Sequence, residues 1–184
     1  MQIYSAADAL QEILFSESEL RARVTELGEQ IRRGYQGIDG RILVVGMLKG
    51  SFIFLADLVR AIDLHCEIDF MAASSYGHST ESSGQIRITR DLTNIEGQHV
   101  LLVEDIVDSG FTMDYILRLL KSREPASIKL VSLLDKPLRR RVPVNIDYCG
   151  FEIEDKFVVG YGLDFAGMYR NLPFIGVLKP ECYQ

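Results

Sequence analysis

Three carboxylates stand close together in the middle of the chain. Glu104 and Asp105 are adjacent, and Asp108 follows three residues later, in the run HVLLVEDIVDSGFT at positions 99–112. Carboxylates accept hydrogen bonds from vicinal hydroxyls and can also hold Mg²⁺. The small, hydroxyl-bearing turn that follows opens a helical pattern, where free backbone amides suit an anion such as phosphate. The run therefore predicts a site for a sugar phosphate.

A purely structural interpretation of this run is that Asp108 or Ser109 caps the next helix. A cap accounts for one residue only. Three carboxylates within five positions repel one another unless cations or hydroxyls relieve them. We therefore favour a binding role, in which Gly110 lets the backbone approach a ligand closely.

Apolar patterns on both sides of the run predict alternating strands and helices. Ser16 and Glu19 form a capping-box pattern that opens a helix ending near Gly34. Buried strands are expected at 42–45, 67–72, 100–103 and 128–134, and helical stripes follow the first and third of these. This order predicts an α/β fold, with a mostly parallel central sheet flanked by helices, in a single domain over residues 1–184.

Two further segments complete the expected fold. The polar stretch at 74–84 predicts a long loop that returns into a strand near 86–88, and FVVGY at 157–161 is interpreted as the last strand. Ligands in such sheets bind beyond the carboxyl ends of the strands. We expect four segments to meet there: 46–51, 104–112, 135–137 and 161–164.

Composition narrows the classes of function. The 184 residues carry a net charge of -6, which argues against a nucleic-acid partner. The basic cluster Arg139–Arg141 is interpreted as a solvated turn. Three separated cysteines form no CxxC pair and suggest reduced thiols rather than a zinc site. Because neither a signal peptide nor a membrane-length apolar run is visible, the expected location is cytoplasmic, with no membrane partner.

Segment 103–112, VEDIVDSGFT, resembles the phosphoribosyl-pyrophosphate (PRPP) motif of type I phosphoribosyltransferases. The resemblance extends from about Ile42 to Leu172, and its other motifs are similar to the branch that acts on 6-oxopurines. It implies the type I phosphoribosyltransferase fold, with a small hood and a flexible lid loop. It also implies a Mg²⁺-dependent purine salvage enzyme that transfers 5-phosphoribose from PRPP to hypoxanthine, and also guanine, forming IMP or GMP and pyrophosphate.

The resemblance assigns roles to the acidic run. Glu104 and Asp105 would bind the ribose hydroxyls of PRPP, and Asp108 would act as the general base toward the purine. The 5′-phosphate would lie against Asp108, Ser109, Gly110, Phe111 and Thr112. Many relatives carry Lys, Arg or a smaller aliphatic residue in place of Phe111. Phosphate binding should therefore rely on backbone amides and hydroxyls.

Further roles follow from the other similar segments. Lys49 and Gly50 would contact pyrophosphate, and in relatives the peptide bond between the matching residues can be cis. Arg170 would reach the leaving pyrophosphate. Mg²⁺ would be held by Glu104, Asp105 and Asp164.

The purine site and the lid are implied in the same way. Lys136 would donate to the 6-oxo group, because an ammonium has donors but no acceptor. Phe157 would stack on the purine, Val158 would bond it through the backbone, and Leu163 would line the pocket. Ser75 and Tyr76 would start the lid.

Alternatives remain open at this point. A relative that prefers xanthine or guanine would share these motifs. PRPP-sensing regulators reuse the same fold to bind RNA or DNA, but a sensor needs neither Asp108 nor Lys136. Relatives form a homodimer or a homotetramer, so the resemblance implies a homo-oligomer.

Overall fold

The structure is a computed structural model, and it describes residues 6–38, 41–75 and 86–183. The helices are α1 (Ala6–Ala9), α2 (Glu17–Gly34), α3 (Phe52–Ala61) and α4 (Phe111–Lys121), with 3-10 turns at Pro137–Arg139 and Pro180–Cys182. The strands are β1 (Leu10–Phe15), β2 (Ile42–Leu48), β3 (Cys66–Ser75), β4 (Ile86–Arg90), β5 (His99–Val107), β6 (Ser127–Asp135), β7 (Tyr148–Glu152), β8 (Val158–Val159) and β9 (Ile175–Leu178).

The central sheet has six strands in the order β4-β3-β2-β5-β6-β7. Only β4 runs antiparallel to its neighbour, so the predicted mostly parallel sheet is confirmed. Helices α2 and α3 cover one face, where Leu20, Val24 and Phe54 pack in one buried cluster. Helix α4 covers the other face through Met113 and Ile116. Parallel strands buried on both faces explain the continuous apolar runs of the sequence.

The capping box predicted for α2 is present. The hydroxyl of Ser16 accepts a hydrogen bond from the Glu19 amide at 3.3 Å, and the Glu19 carboxylate accepts one from the Ser16 amide at 2.8 Å. Gly34 is the last residue of the helix. The cap fixes where α2 starts, and its buried stripe holds it against the sheet.

A second, three-stranded antiparallel sheet forms the hood, in the order β1-β9-β8. The prediction that residues 157–161 are the last strand is wrong, because β8 contains only Val158 and Val159 and β9 follows it. Positive φ angles at Gly160, Tyr161 and Gly162 turn the chain away after two strand residues. Strand geometry requires negative φ, so the apolar run could not continue as a strand.

The loop expected as a lid falls largely outside the described residues. Ser75 is the last residue of β3, whereas Tyr76 and the rest of the loop to 85 lie outside the description. The predicted return strand is confirmed as β4, which pairs with β3. None of the described helices is long and apolar enough to cross a membrane.

Candidate active site

The site lies where the central sheet meets the hood. Three of the four expected segments, 46–51, 104–112 and 135–137, span the carboxyl ends of β2, β5 and β6. The fourth, 161–164, is a turn of the hood and does not follow a strand of the central sheet. It reaches the site because its backbone packs on the loop that follows β2. A Cβ added at Gly162 would lie 2.0 Å from the carbonyl oxygen of Gly50 in that loop.

Glu104 and Asp105 lie inside β5, although the sequence placed them just after it. Pairing with β2 stops at Val103, whereas pairing with β6 continues to Val107. The four residues 104–107 are therefore strand on one side only. Successive strand side chains point to opposite faces, so the two carboxylates can contact two different groups.

Both carboxylates are half-buried, and this raises their pKa values. Burial is the main cause for Glu104, whose pKa rises well above its usual value, and the charge of Asp105 adds to it. Burial raises the pKa of Asp105 to about 6, against an opposing backbone hydrogen bond from Ile106 at 2.9 Å. One buried oxygen of Glu104, Oε2, has no hydrogen-bond partner. Such a pair favours a cation or hydroxyl donors close by.

Gly50 separates Asp105 from the hood. A Cβ at this position would lie 1.5 Å from Oδ2 of Asp105, so a larger residue would displace that carboxylate. The loop also contains a non-proline cis peptide bond, which joins Leu48 to Lys49, one bond before the Lys49–Gly50 bond that can be cis in relatives. The Lys49 side chain is exposed at the edge of the site.

Asp164 and Arg170 face each other across two tight turns. Residues 160–163 and 165–168 each form a turn with positive φ at both central positions, and Asp164 stands between them. Its carboxylate pairs with Arg170 at 2.7 Å, and the same guanidinium donates to the carbonyl of Gly162 at 2.7 Å. The charges of Asp164 and Arg170 shift the pKa of Asp105 in opposite directions, which places both beside it.

The turn before α4 is open at its amide end. Gly110, with φ of 91°, is the N-cap residue, and no side chain caps the helix, so neither Asp108 nor Ser109 has the purely structural role. The first helical bond runs from the Asp114 amide to the Gly110 carbonyl at 2.9 Å. The amides of residues 111–113 precede it and are free to bind an anion. The Phe111 side chain is exposed and adds no charge.

A cleft of about 530 Å³ connects Asp105, Asp108 and Asp164 to the predicted purine residues, whereas Glu104, Lys49, Gly50, Arg170 and residues 109–112 are not among the residues that line it. Seven of the residues that line this cleft were predicted as site residues from the sequence, and four were not. The predicted ones are Asp105, Asp108, Lys136, Phe157, Val158, Leu163 and Asp164; the others are Ile106, Arg139, Asp155 and Tyr183. A larger hollow of about 720 Å³ between α2, α3 and residues 171–173 contains none of the predicted residues.

Four side chains of alternating negative and positive charge form a row along one wall of the cleft. Arg139 donates to Oδ1 of Asp108 at 2.7 Å and to both oxygens of Asp155 at 3.1 Å. Asp155 in turn lies 3.6 Å from the buried ammonium of Lys136. The bond to Asp155, with the charge of Asp108, raises the pKa of Arg139. Through these ion pairs, Arg139 and Asp155 connect the Asp108 carboxylate to the Lys136 ammonium.

The interpretation of Arg139–Arg141 as a solvated turn is confirmed for Arg139 and Arg141, which are exposed between β6 and β7, whereas Arg140 is half-buried. The 3-10 turn that begins at Pro137 folds the cluster back over the strand ends. Arg139 lines the cleft, and Arg140 pairs with Asp135. The amide of Arg141 donates to the Ser109 carbonyl at 2.8 Å and so supports the turn before α4. The sequence signal for this arrangement was a basic triplet one residue after the Lys136-Pro137 pair at a strand end.

Aromatic rings form the opposite end of the cleft. Phe157 is 38% exposed, with Tyr183 stacked on it at 4.7 Å and Phe165 edge-on at 5.7 Å. Val158 and Leu163 are buried beside it. An exposed aromatic ring next to a buried ammonium suits a flat heterocycle with an acceptor at its edge.

The carboxylates match the preference of Mg²⁺ for oxygen ligands. Among the described residues, no three acidic, histidine or cysteine side chains converge on a point that could hold a metal. Mg²⁺ usually takes one or two carboxylates and completes its shell with substrate oxygens and water. The unpartnered oxygen of Glu104 and the mutual repulsion of Asp105 and Asp164 fit such an ion.

This chain is similar in sequence to a known protein family and to named enzymes of that family. The sequence model of the phosphoribosyl transferase domain family matches residues 11–166. The hypoxanthine-guanine phosphoribosyltransferase of Bacillus subtilis is 50% identical over 176 residues, which cover 95% of this chain and 97% of that protein. The hypoxanthine phosphoribosyltransferase of Haemophilus influenzae is 51% identical over 173 residues, which cover 92% and 96% of the two chains.

The fold is also similar to that of a solved structure. A crystal structure of a hypoxanthine phosphoribosyltransferase from Staphylococcus aureus matches this fold with a TM-score of 0.92 and 46% identity, and the match covers 100% of both chains. The chain therefore belongs to the phosphoribosyl transferase family and, within it, to the hypoxanthine and hypoxanthine-guanine phosphoribosyltransferases.

Proposed function

We propose that the cleft transfers the 5-phosphoribosyl group of PRPP to hypoxanthine, and also to guanine, in purine salvage. IMP or GMP and pyrophosphate are the products. The observation that carries the proposal is the meeting, in one cleft, of a carboxylate base (Asp108), a buried ammonium (Lys136) and an exposed aromatic ring (Phe157) beside half-buried carboxylates.

The purine end of the cleft selects the base. Lys136 donates a hydrogen bond to the 6-oxo group, which a 6-amino group cannot accept. Stacking of a base on an aromatic ring such as Phe157 contributes about 1–3 kcal/mol. The backbone of Val158 bonds the base, and Leu163 lines its pocket.

The other end binds PRPP. Glu104 and Asp105 accept hydrogen bonds from the ribose hydroxyls, and the segment Asp108–Thr112 binds the 5′-phosphate through its amides and hydroxyls. The Lys49–Gly50 backbone and the Arg170 guanidinium contact the pyrophosphate. Arg170 pairs with Asp164 at 2.7 Å, and this ion pair would hold the guanidinium close to the place where the leaving group departs.

The chemistry uses the carboxylates in two ways. A nitrogen of the five-membered purine ring attacks the anomeric carbon while the bond from that carbon to the pyrophosphate oxygen breaks. Asp108 accepts the proton that the ring gives up, and Arg139 fixes the direction of its carboxylate. Glu104 and Asp105 stabilise the positive charge that develops on the ribose.

Mg²⁺ is part of this proposal. Glu104, Asp105 and Asp164 would hold the ion, which would neutralise the pyrophosphate and make it a better leaving group. The all-oxygen ligand set supports Mg²⁺ over a softer metal.

The remaining features concern the whole chain. We propose one phosphoribosyltransferase domain over residues 1–184, working as a homodimer or homotetramer in the cytoplasm. The free thiols of Cys66, Cys149 and Cys182 are in keeping with a reducing compartment.

A steady-state assay of pyrophosphate release tests the function. Purified protein would receive PRPP and, in parallel, hypoxanthine, guanine, xanthine or adenine, with and without Mg²⁺. We expect turnover with hypoxanthine and guanine only when Mg²⁺ is present, and little with adenine. Tight PRPP binding without turnover of any purine would instead identify a PRPP sensor and overturn the proposal.

A further inference from the structure

Tyr183 lies at the purine end of the cleft, although no sequence motif pointed to it. Its ring stacks on the ring of Phe157 with centroids 4.7 Å apart and planes inclined by 20°. The two rings are similarly exposed, at 37% and 38%. Tyr183 also lines the same cleft as Lys136 and Asp108. A ring in this place can influence how the base is held.

The backbone around Tyr183 is anchored on both sides of the stack. The amide of Leu178, at the end of β9, donates to the Phe157 carbonyl at 2.8 Å. The next amide, of Lys179, donates to the Ala9 carbonyl at 3.0 Å, and the Tyr183 amide closes the 3-10 turn on Pro180 at 3.1 Å. These bonds bring Tyr183 back to Phe157, so the stack is set by the fold of the hood.

Phe157 depends on its neighbours for a fixed orientation. Phe165 meets it at 87° with centroids 5.7 Å apart, which restrains one edge of the ring. Tyr183 covers one face and restrains the plane itself. A purine must place its 6-oxo group on Lys136 and its five-membered ring beside Asp108 at the same time. A stacking surface of fixed tilt makes these two contacts compatible.

We propose that Tyr183 is a positioning residue of the purine site. It stacks on one face of Phe157 and holds the ring so that the purine can stack on the other face. This inference rests on the proposed function, because it concerns the purine that the cleft would bind. Tyr183, which belongs to none of the family motifs named above, should therefore affect the binding of the purine but not the binding of PRPP.

Steady-state kinetics of Tyr183→Ala test the proposal. Loss of one stacked aromatic pair should raise the KM for hypoxanthine about two- to tenfold, while the KM for PRPP and kcat change less than about twofold. Tyr183→Phe keeps the ring and should restore the wild-type KM for hypoxanthine. A lower KM for hypoxanthine in Tyr183→Ala would show that Tyr183 obstructs the site, and would overturn the proposal. An equal rise in both KM values would show a merely structural role and would also overturn it.

The wild-type enzyme separates the two claims in this experiment. If wild-type protein turns over no purine, the proposed function fails. If wild-type protein is active and Tyr183→Ala matches it in every constant, the function stands and the inference about Tyr183 fails.

A fluorescence titration gives a second readout that does not depend on turnover. Because the chain contains no tryptophan, Tyr183→Trp would place a single reporter on Phe157. We expect its emission to change when IMP is added, and not when ribose 5-phosphate is added. Leu64→Trp, in the segment before the amino end of β3, is the matched control and should respond to neither. An unchanged Tyr183→Trp emission with saturating IMP would contradict the proposal.

Discussion

Three neighbouring carboxylates have three different environments. Glu104 has a buried oxygen without a hydrogen-bond partner, and Asp105 lies between Gly50 and the amide of Ile106. Asp108 is partly exposed and pairs with Arg139. Burial raises the pKa of the first two. Carboxylates within five positions could therefore take the three proposed roles of sugar ligand, metal ligand and base, because each has different surroundings.

The base assignment predicts the behaviour of Asp108→Asn. The amide keeps the shape of the side chain but cannot take a proton, so kcat should fall about 10²- to 10⁴-fold. The dissociation constant of PRPP should change less than about threefold, because in the proposed function backbone amides would hold the phosphate. Pre-steady-state turnover and PRPP titration calorimetry measure the two quantities.

Asp63→Asn is the matched control for this substitution. Asp63 is exposed, and its positive φ of 51° suits asparagine equally well. It should leave both constants unchanged. Near wild-type kcat in Asp108→Asn would remove its role as the base.

The raised pKa of Asp105 predicts a pH-dependent gain in stability for Asp105→Asn. Burial raises its pKa to about 6 from 3.8, so the folded state binds the proton more tightly than the unfolded state. The stability this gives is present below the ordinary pKa and is lost as the pH rises through about 6. At pH 7.5 the substitution should therefore stabilise the ligand-free protein by about 1–3 kcal/mol, or about 2–10 °C in Tm.

Thermal unfolding at two pH values measures this effect. At pH 4 the carboxyl is protonated in the folded protein, and the gain should largely disappear. A variant that is less stable than wild type at pH 7.5 would contradict the assigned pKa. The same variant should bind PRPP and Mg²⁺ more weakly, since the proposed function needs the negative charge that costs stability when Asp105 is ionised.

At the scale of elements, the site depends on two close backbone approaches. Gly50 lies against the Asp105 carboxylate, and Gly162 lies against the Gly50 carbonyl. The first loop follows β2, whereas the second belongs to a tight turn of the hood. These glycines therefore join the central sheet to the hood at the point where PRPP and the purine must meet.

Gly162→Ala should disrupt this junction. Its added Cβ would lie 2.0 Å from the Gly50 carbonyl oxygen, in addition to the strain of alanine at a φ of 105°. We expect a loss of about 2–4 kcal/mol in unfolding free energy and a marked rise in the KM for PRPP. Denaturant unfolding and steady-state kinetics measure the two effects.

Gly97→Ala separates strain from contact. Gly97 also has a positive φ, of 67°, but an added Cβ would meet nothing within 4 Å. Its cost should be limited to about 1–2 kcal/mol of backbone strain, with normal kinetics. Equal effects of the two substitutions on the KM for PRPP would contradict a specific role for the junction.

The elements differ in how well the sequence predicted them. The capping box of Ser16 and Glu19 and the apolar run from Ile42 are local signals, and α2 and β2 were predicted from them. Strands β1, β7 and β9 were missed, because these short strands depend on pairing with distant partners. The residues of the acidic run were found from their types and spacing, whereas Arg139, Asp155 and Tyr183 reach the cleft only through tertiary folding.

At the scale of the whole molecule, the cleft lies between two sheets with different tasks. The central sheet carries the acidic run and Lys136 at the ends of its buried parallel strands. The hood supplies Phe157, Leu163, Asp164 and Tyr183 from short strands and tight turns. Ligands commonly bind at such junctions between units. Because the net charge is -6, recognition of anionic PRPP would depend on local groups, such as the amides before α4 and Arg170 in the proposal above.

The central claim is that this cleft selects a 6-oxopurine as the acceptor of phosphoribose. The most direct test is the ratio of kcat/KM for hypoxanthine to that for adenine, measured in wild type and in Lys136→Gln. A site built to hydrogen-bond one group rejects an unmatched one strongly, so the wild-type ratio should exceed about 10³. Glutamine can donate or accept, so the ratio should fall at least about tenfold in the variant. A wild-type ratio near one, or a ratio that Lys136→Gln leaves unchanged, would contradict the account.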